Sequence, residues 1–342
     1  MARLTRALTV TTLATLISVA VPACGEEAEA PDEASIRAAI QQAIPSLEKA
    51  SAGSADKRKC FTCHSQAVPI LALAEAQQHG FEVDAKNLNR QLKHTLDHLK
   101  RGKKQYEEGK GQGGRVLTAG YALWALEAGQ HKPDETTALV TKYLLGYQQE
   151  QHYWHHPGNR PPSSGSRFAT TYVALVGLAE YETEKQREAG DTRRAEILKW
   201  LLSERGKKAP ETEDQVFRLR SLELTGAETS DIDAAVEELL ATQRDDGGWA
   251  QKKDMQSDAY ATATVLTALL RGGHLDRGSK AAQQAARFLI DAQQDDGSWH
   301  VVTRAKGFQT YFESGYPHGK DQFISCAAGG WATVALVLML PE

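Results

Sequence analysis

From residue 33 to residue 340 apolar and polar positions follow two alternating patterns. In the first, one apolar stripe runs along a charged segment, as in Ile36, Ile40, Ile44 and Leu47, which is what a helix with one wet face needs. This pattern recurs over 33–50, 84–101, 134–148, 186–205, 230–243 and 277–293. In the second, the segment is apolar on most sides, as in Ala259–Leu270 (A-Y-A-T-A-T-V-L-T-A-L-L), and reads as a buried helix. It recurs over roughly 64–79, 115–129, 166–181, 214–226, 257–271 and 321–340. Six outer and six inner helices in strict alternation predict an all-α closed double ring, an (α/α)6 toroid. The alternative is an open solenoid. Closure is favoured because the last inner segment, 321–340, is as apolar as the middle ones, whereas a solenoid end needs a polar cap.

A short repeat marks where outer segments give way to inner ones. Gln293–Trp299 reads Q-Q-D-D-G-S-W, Gln243–Trp249 reads Q-R-D-D-G-G-W, and Gln148–Trp154 reads Q-Q-E-Q-H-Y-W. A period near 50 residues belongs to repeat architectures. The Gln ends an outer helix, Gly supplies a backbone conformation other residues resist, and the Trp packs back over the turn. In the weak copy His152 replaces Gly. An aromatic precedes the Gln by five residues in two copies (Phe288 before Gln293, Tyr143 before Gln148). This pattern resembles the QW repeat of squalene and oxidosqualene cyclases. The resemblance covers roughly residues 36–340 and implies the terpenoid-cyclase and protein-prenyltransferase type of toroid. Its implied ligand is an apolar or isoprenoid small molecule in the ring cavity. In that family the motif ties helices together, so the paired acids need no catalytic duty. The family's D-x-D-D acid is absent, and the chain is about half the length of those two-domain enzymes.

Outside the toroid, expected over 33–342, the N-terminus has its own character. Arg3 and Arg6 precede an apolar run from Ala7 to Val21, which reads as a secretory signal peptide over 1–23. Val21-Pro22-Ala23-Cys24 resembles a bacterial lipobox, making Cys24 a lipidation candidate; ordinary cleavage is the alternative. Residues 24–32 read as an acidic tether. The expectation is an exported protein of the periplasm or cell envelope, touching membrane only through that anchor. Net charge is −4, and loss of the leader makes the chain more acidic by two. With no basic stripe, nucleic-acid binding has no support.

All six outer-to-inner turns of such a ring must lie at one end, so chemistry scattered along the chain converges there. Cys60-Phe61-Thr62-Cys63-His64 opens the first inner segment. C-x-x-C-H in an exported chain reads as covalent haem c attachment, with Cys60 and Cys63 forming thioethers and His64 binding the iron. A redox dithiol, a disulfide and a metal pair are the alternatives. A sixth iron ligand could come from Met255, His152, His155, His156 or His318. His152–Gly158 (H-Y-W-H-H-P-G) gathers three histidines, either for a ligand or as a decayed copy of the Trp turn. Asp258 and Tyr260 open the fifth inner segment, where Asp258 is a helix cap or an acid at the cavity mouth. His318, Asp321 and Cys326 are zinc-compatible types near the last inner segment. The resemblance implies an Asp, Cys and His zinc set, but the local Asp-x-Cys is missing, which argues against zinc; Asp321 as a helix cap is the bland reading, and His318 and Asp321, with Asp258, are the candidates for catalytic side chains in the cavity. Lys110–Arg115 is Gly-rich but follows no strand, so it reads as a flexible turn.

Two functions follow. One is an exported toroid with a covalent haem, acting in electron transfer with a redox partner or in ligand binding. The other is a cavity enzyme on the same ring: a terpene or prenyl cyclase or transferase, or a polysaccharide lyase. A scaffold without chemistry is the third.

Overall fold

The computed structural model describes residues 30–341, apart from 157, 159, 308 and 309. The expected signal peptide, the lipidation candidate Cys24 and most of the expected acidic tether therefore lie outside the described residues. In chain order the helices are α1 (Glu33–Lys57), α2 (Val68–Gln78, entered through a π-turn at Cys63–Ala67), α3 (Ala85–Arg101), α4 (Lys103–Glu107), α5 (Arg115–Ala128), α6 (Glu135–Gly146), α7 (Arg167–Tyr181), α8 (Arg187–Leu201), α9 (Thr212–Thr225), α10 (Thr229–Leu240), α11 (Ala259–Arg271), α12 (Lys280–Asp291) and α13 (Gln322–Met339). No strand occurs among the described residues.

Helices α1, α3, α6, α8, α10 and α12 form the outer layer, and α2, α5, α7, α9, α11 and α13 the inner one. Each inner helix packs on the next, and α13 packs back on α2, so the ring is closed and the solenoid alternative falls away. The closing contact is tight: Gly330 of α13 faces the Val68 backbone, where a Cβ would meet it at 3.2 Å. Burial follows the two patterns. Every residue of α11 from Ala259 to Leu269 is buried, whereas α3 buries one narrow stripe. Gly319–Met339 is long and apolar enough to cross a membrane, but 83% of its most apolar 18-residue stretch is buried inside the protein.

Helix starts follow local chemistry. Asp32, Asp84 and Asp134 accept hydrogen bonds from the first turns of α1, α3 and α6, and Ser166, Asp258 and Ser279 do the same for α7, α11 and α12. Such caps are worth about 1 kcal/mol each. Two differences from the sequence reading stand out. Helix α1 runs through Pro45 to Lys57, seven residues past the expected end, because its second half still buries Leu47, Ala50, Ser51 and Ser54 against the ring. The extra helix α4 is a single short segment that buries Tyr106.

The three Trp turns share one set of bonds. The indole Nε1 of Trp299 donates to Leu289 O at 2.7 Å, that of Trp249 to Leu239 O at 2.9 Å, and that of Trp154 to Leu144 O at 3.0 Å. Each acceptor lies ten residues back, in the outer helix just ended. The Gln side chain reaches sideways: Gln293 donates to Ala39 O of α1 at 2.9 Å, and Gln243 to Ala281 O of α12 at 2.9 Å. In the weak copy Gln148 bonds only within its own loop, to His155 O at 3.0 Å. There Arg193 of α8 provides the sideways link, donating to Gln148 O at 3.0 Å and lying over the Trp154 ring.

The turn glycine is required twice over. Gly297 has φ +78°, and a Cβ there would collide with the Gln42 carbonyl of the neighbouring outer helix. His152, in the equivalent place, is forced to φ +54°. The opposite substitutions should therefore have opposite signs. Gly297→Ala is expected to cost about 2 kcal/mol or more from strain plus collision, whereas His152→Gly is expected to be neutral or to gain about 0.5 kcal/mol. Urea midpoints of the two variants check this; a neutral Gly297→Ala would show that the turn yields.

Candidate functional site

Side chains from several turns meet at the end of the ring where outer helices hand over to inner ones. Arg304, after the last Trp turn, donates to Glu211 Oε2 at 2.7 Å and to Gln251 Oε1 at 2.9 Å. Gln251 in turn donates to Asp258 at 3.1 Å. The rim of the ring is thus bonded across three different turns, as the alternation required.

Below this rim lies Glu213, in the first turn of α9 and 4% exposed. Its Oε2 accepts from the Tyr260 hydroxyl at 3.1 Å, and that hydroxyl lies 2.9 Å from Ser163 Oγ. Its Oε1 is buried with no partner. Burial pushes the carboxyl up to about 8, only partly opposed by the nearby hydroxyls of Ser163 and Tyr260. The neighbouring acid Glu211 behaves in the opposite way. Burial would raise it too, but the bond and charge of Arg304, with Lys252 at 3.5 Å, more than offset this and hold it below its ordinary value. Two carboxyls, two residues apart, are thereby split into a proton holder and a permanent anion, a division of roles seen in acid–base sites. Asp214, bonded by Ser166 at 2.7 Å, is raised by burial.

Tyr121 connects Glu213 to the cysteine motif. It is buried in the field of both Glu213 and Cys63, and its phenol stays neutral well above the ordinary range. Cys63 lies close to Thr118, and burial pushes its thiol up to about 12, so it is no nucleophile as it stands. His64 packs edge-on to Phe323 at 4.9 Å. Burial, then the charge of Arg160, lowers it to about 4, so it is neutral at ordinary pH. No hydrogen bond to the His64 ring is made among the described residues. Cys63 and His64 are each half-buried. Cys60 is exposed, and all three described cysteines are free thiols.

The remaining sequence candidates scatter. Asp258 caps α11, accepting from Ala261 N at 3.0 Å. Asp321 does not cap α13: it accepts from His300 Nε2 and from Thr303 N, each at 3.0 Å, so its oxygens hold the loop after Trp299 instead. His318 bonds Ser298 Oγ at 2.8 Å and stacks on His300. Cys326 is sealed in α13 beside Ser65, and no group of three or more metal-ligating side chains occurs among the described residues. His152 is exposed, with Glu196 at 3.9 Å. His155 is tied to Gln148 through its backbone, and Met255 is half-buried in an exposed turn. His156 buries an unpartnered Nδ1.

Glu213, Tyr121 and Ser163 were missed in the sequence. One signal was present: Glu213 and Arg220 put charge, seven residues apart, on a helix that the alternation requires to be buried.

No protein-family model matches the chain. Among solved structures, the type II terpene cyclase MstE from Scytonema superposes with TM-score 0.56 at 14% identity, over 91% of this chain and 100% of that one. A glycosidase in complex with glucose gives TM-score 0.56 at 12% identity, over 88% and 98%. Copalyl diphosphate synthase of Streptomyces cyslabdanicus is 45% identical over 64 residues, 18% of this chain and 12% of that relative. The fold is a terpene-cyclase-like α/α toroid.

The Glu213 proton has a stability signature. A carboxyl raised from 4.5 to about 8 on folding binds more protons folded than unfolded. Stability from this group is therefore lost as pH rises from about 4.5 to about 8. Glu213→Gln keeps the shape and has no proton to lose, so its urea midpoint should fall less between pH 5 and pH 8 than that of the parent. Parallel curves would show that Glu213 is ionised throughout.

Proposed function

We propose that this chain is a cavity enzyme that donates a proton from Glu213 to an apolar, isoprenoid-like substrate. The observation that carries the reading is a carboxylic acid inside a closed ring, protonated at ordinary pH, with one oxygen held by Tyr260 and the other unpartnered. In the step proposed, the Glu213 proton adds to a substrate carbon–carbon double bond. The electron pair of that bond forms the new C–H bond and leaves a carbocation. The carbocation then loses a proton from a neighbouring carbon to form the new double bond, and that proton, or one from solvent, returns to the Glu213 carboxylate. Tyr121 and Tyr260, both tied to Glu213, would attract the cation through their rings. Support comes from the fold shared with MstE, structures of which hold geranylgeranyl dihydroxybenzoate as substrate and merosterolic acid A as product. Glu213 stands in for the missing D-x-D-D acid.

The test is incubation with acyclic isoprenoids in D2O, with products read by mass spectrometry. The expected product is an isomer of its precursor carrying one deuterium. Glu213→Gln should lower its rate about 100-fold or more, as for loss of a general acid. A rate within a few-fold of the parent would remove Glu213 from the mechanism.

A second reading rests on His64. A neutral imidazole without a hydrogen-bond partner, next to the free thiol of Cys63 and four residues from that of Cys60, is a chemically complete donor set for haem c. In this reading Cys60 and Cys63 would hold the vinyl groups and His64 the iron, and the group would supply one-electron transfer to a redox partner. The leader and Cys24 would place the chain in the cell envelope. Expression with a haem-maturation system should then give a covalent haem spectrum that survives denaturation and is lost in Cys60→Ala, Cys63→Ala. A colourless protein of unmodified mass would discard this reading and leave the first untouched.

A further inference from the structure

Arg220 is 7% exposed in the middle of α9. Its guanidinium lies 4.3 Å from the Tyr172 ring centroid and 5.3 Å from that of Trp124. It makes no hydrogen bond or ion pair among the described residues. Glu223, a carboxylate whose field reaches it, is already bonded to His274 at 2.6 Å. The other buried arginines are partly served: Arg193 donates to three backbone carbonyls and Arg218 has Glu238 at 3.9 Å, although the Nε of each is buried without a partner. Arginine does not shed its proton, so an interior guanidinium without an acceptor carries an uncompensated desolvation cost.

Its position relative to Glu213 gives that charge a use. Residues 213 and 220 are seven apart on one helix, so they share a face and are separated by about 10.5 Å along the axis. Glu213 sits at the turn end of the ring and Arg220 two turns deeper. The Trp124 ring on which Arg220 lies also walls a cavity of about 270 Å3, lined further by Leu71, Trp331, Glu127 and the ion pair of Arg271 with Glu75. We infer that Arg220 docks the anionic head, carboxylate or phosphate, of an elongated apolar ligand whose other end meets Glu213. This narrows the substrate class of the proposed enzyme and rests on that reading for the reacting end only.

Quenching of tryptophan fluorescence by farnesoate, farnesyl phosphate, farnesol and inorganic phosphate tests it. Both anionic chains should bind about tenfold or more tighter than farnesol, the worth of a charge-assisted hydrogen bond. Inorganic phosphate alone should bind far more weakly. Glu213→Gln should keep the preference, and Arg220→Met should abolish it without lowering Tm, because Met removes a charge that lacks a partner. Arg220→Lys, retaining charge without the planar stack, should keep part of the preference and covers the case in which the Met variant does not fold. Equal binding of farnesoate and farnesol, binding of neither, a preference surviving in Arg220→Met, or phosphate binding as tightly as farnesoate would each overturn the inference. A preference that tracks Arg220 while Glu213→Gln retains turnover would keep the anion site and remove the acid.

Discussion

The indole N–H that reaches ten residues back to an outer-helix carbonyl is the constraint on which the ring depends. A helix end leaves carbonyls without partners, and a buried orphan costs about 1–3 kcal/mol. Trp154, Trp249 and Trp299 each add an indole bond to one such terminal carbonyl while placing a large apolar surface under the turn. The bond fixes the angle at which the chain leaves the outer layer and enters the inner one. The sideways links from Gln243, Gln293 and Arg193 then tie each turn to its neighbour. Radial and tangential bonds together leave little freedom in the turn, and a run of equal turns closes on itself.

Closure decides the electrostatics of the interior. All inner helices begin at the turn end, so their free N–H groups favour negative charge there. Glu213 lies in a first helical turn, where that field is worth about 0.3–1 kcal/mol in favour of the carboxylate. Its rise to about 8 is several times larger in energy and opposite in sign. Desolvation therefore wins, because the ring holds Glu213 below the Arg304 and Gln251 rim, away from water. Glu211, in the rim itself, keeps its charge through Arg304. The separation between the two acids is a product of depth, not of sequence environment.

That distinction sets what could be read from the chain. The two kinds of helical pattern are local, so the twelve ring helices, the toroid and the gathering of the outer-to-inner turns at one end were legible. The turn glycine was legible because positive φ and close approach are written in one residue. Asp321 was misjudged because a cap and a loop clamp look the same in sequence; only the loop's path, bringing Thr303 and His300 to its oxygens, separates them. Glu213 was invisible for a related reason. Its partner Tyr260 is 47 residues away, and the bond exists only because α9 and α11 are neighbours in the closed ring. The C-x-x-C-H run was the loudest local signal. The structure adds that its two cysteines part company, Cys60 at the surface and Cys63 with His64 inside.

Helix α9 is where stability and function diverge. Its inward stripe should be apolar, as in α11, yet it carries Glu213 and Arg220 with Phe217 between them. The two charged types answer burial differently. A carboxyl escapes the cost by taking up a proton, and then becomes a donor. A guanidinium has no such escape at any ordinary pH. Stacking on Trp124 and Tyr172 returns about 2 kcal/mol when desolvated, less than the several kcal/mol lost by withdrawing an ion from water. A ring selected only for stability would gain from an apolar residue at position 220. The retained charge points to a ligand that completes the site, and the acid two turns above it gives that ligand a chemistry.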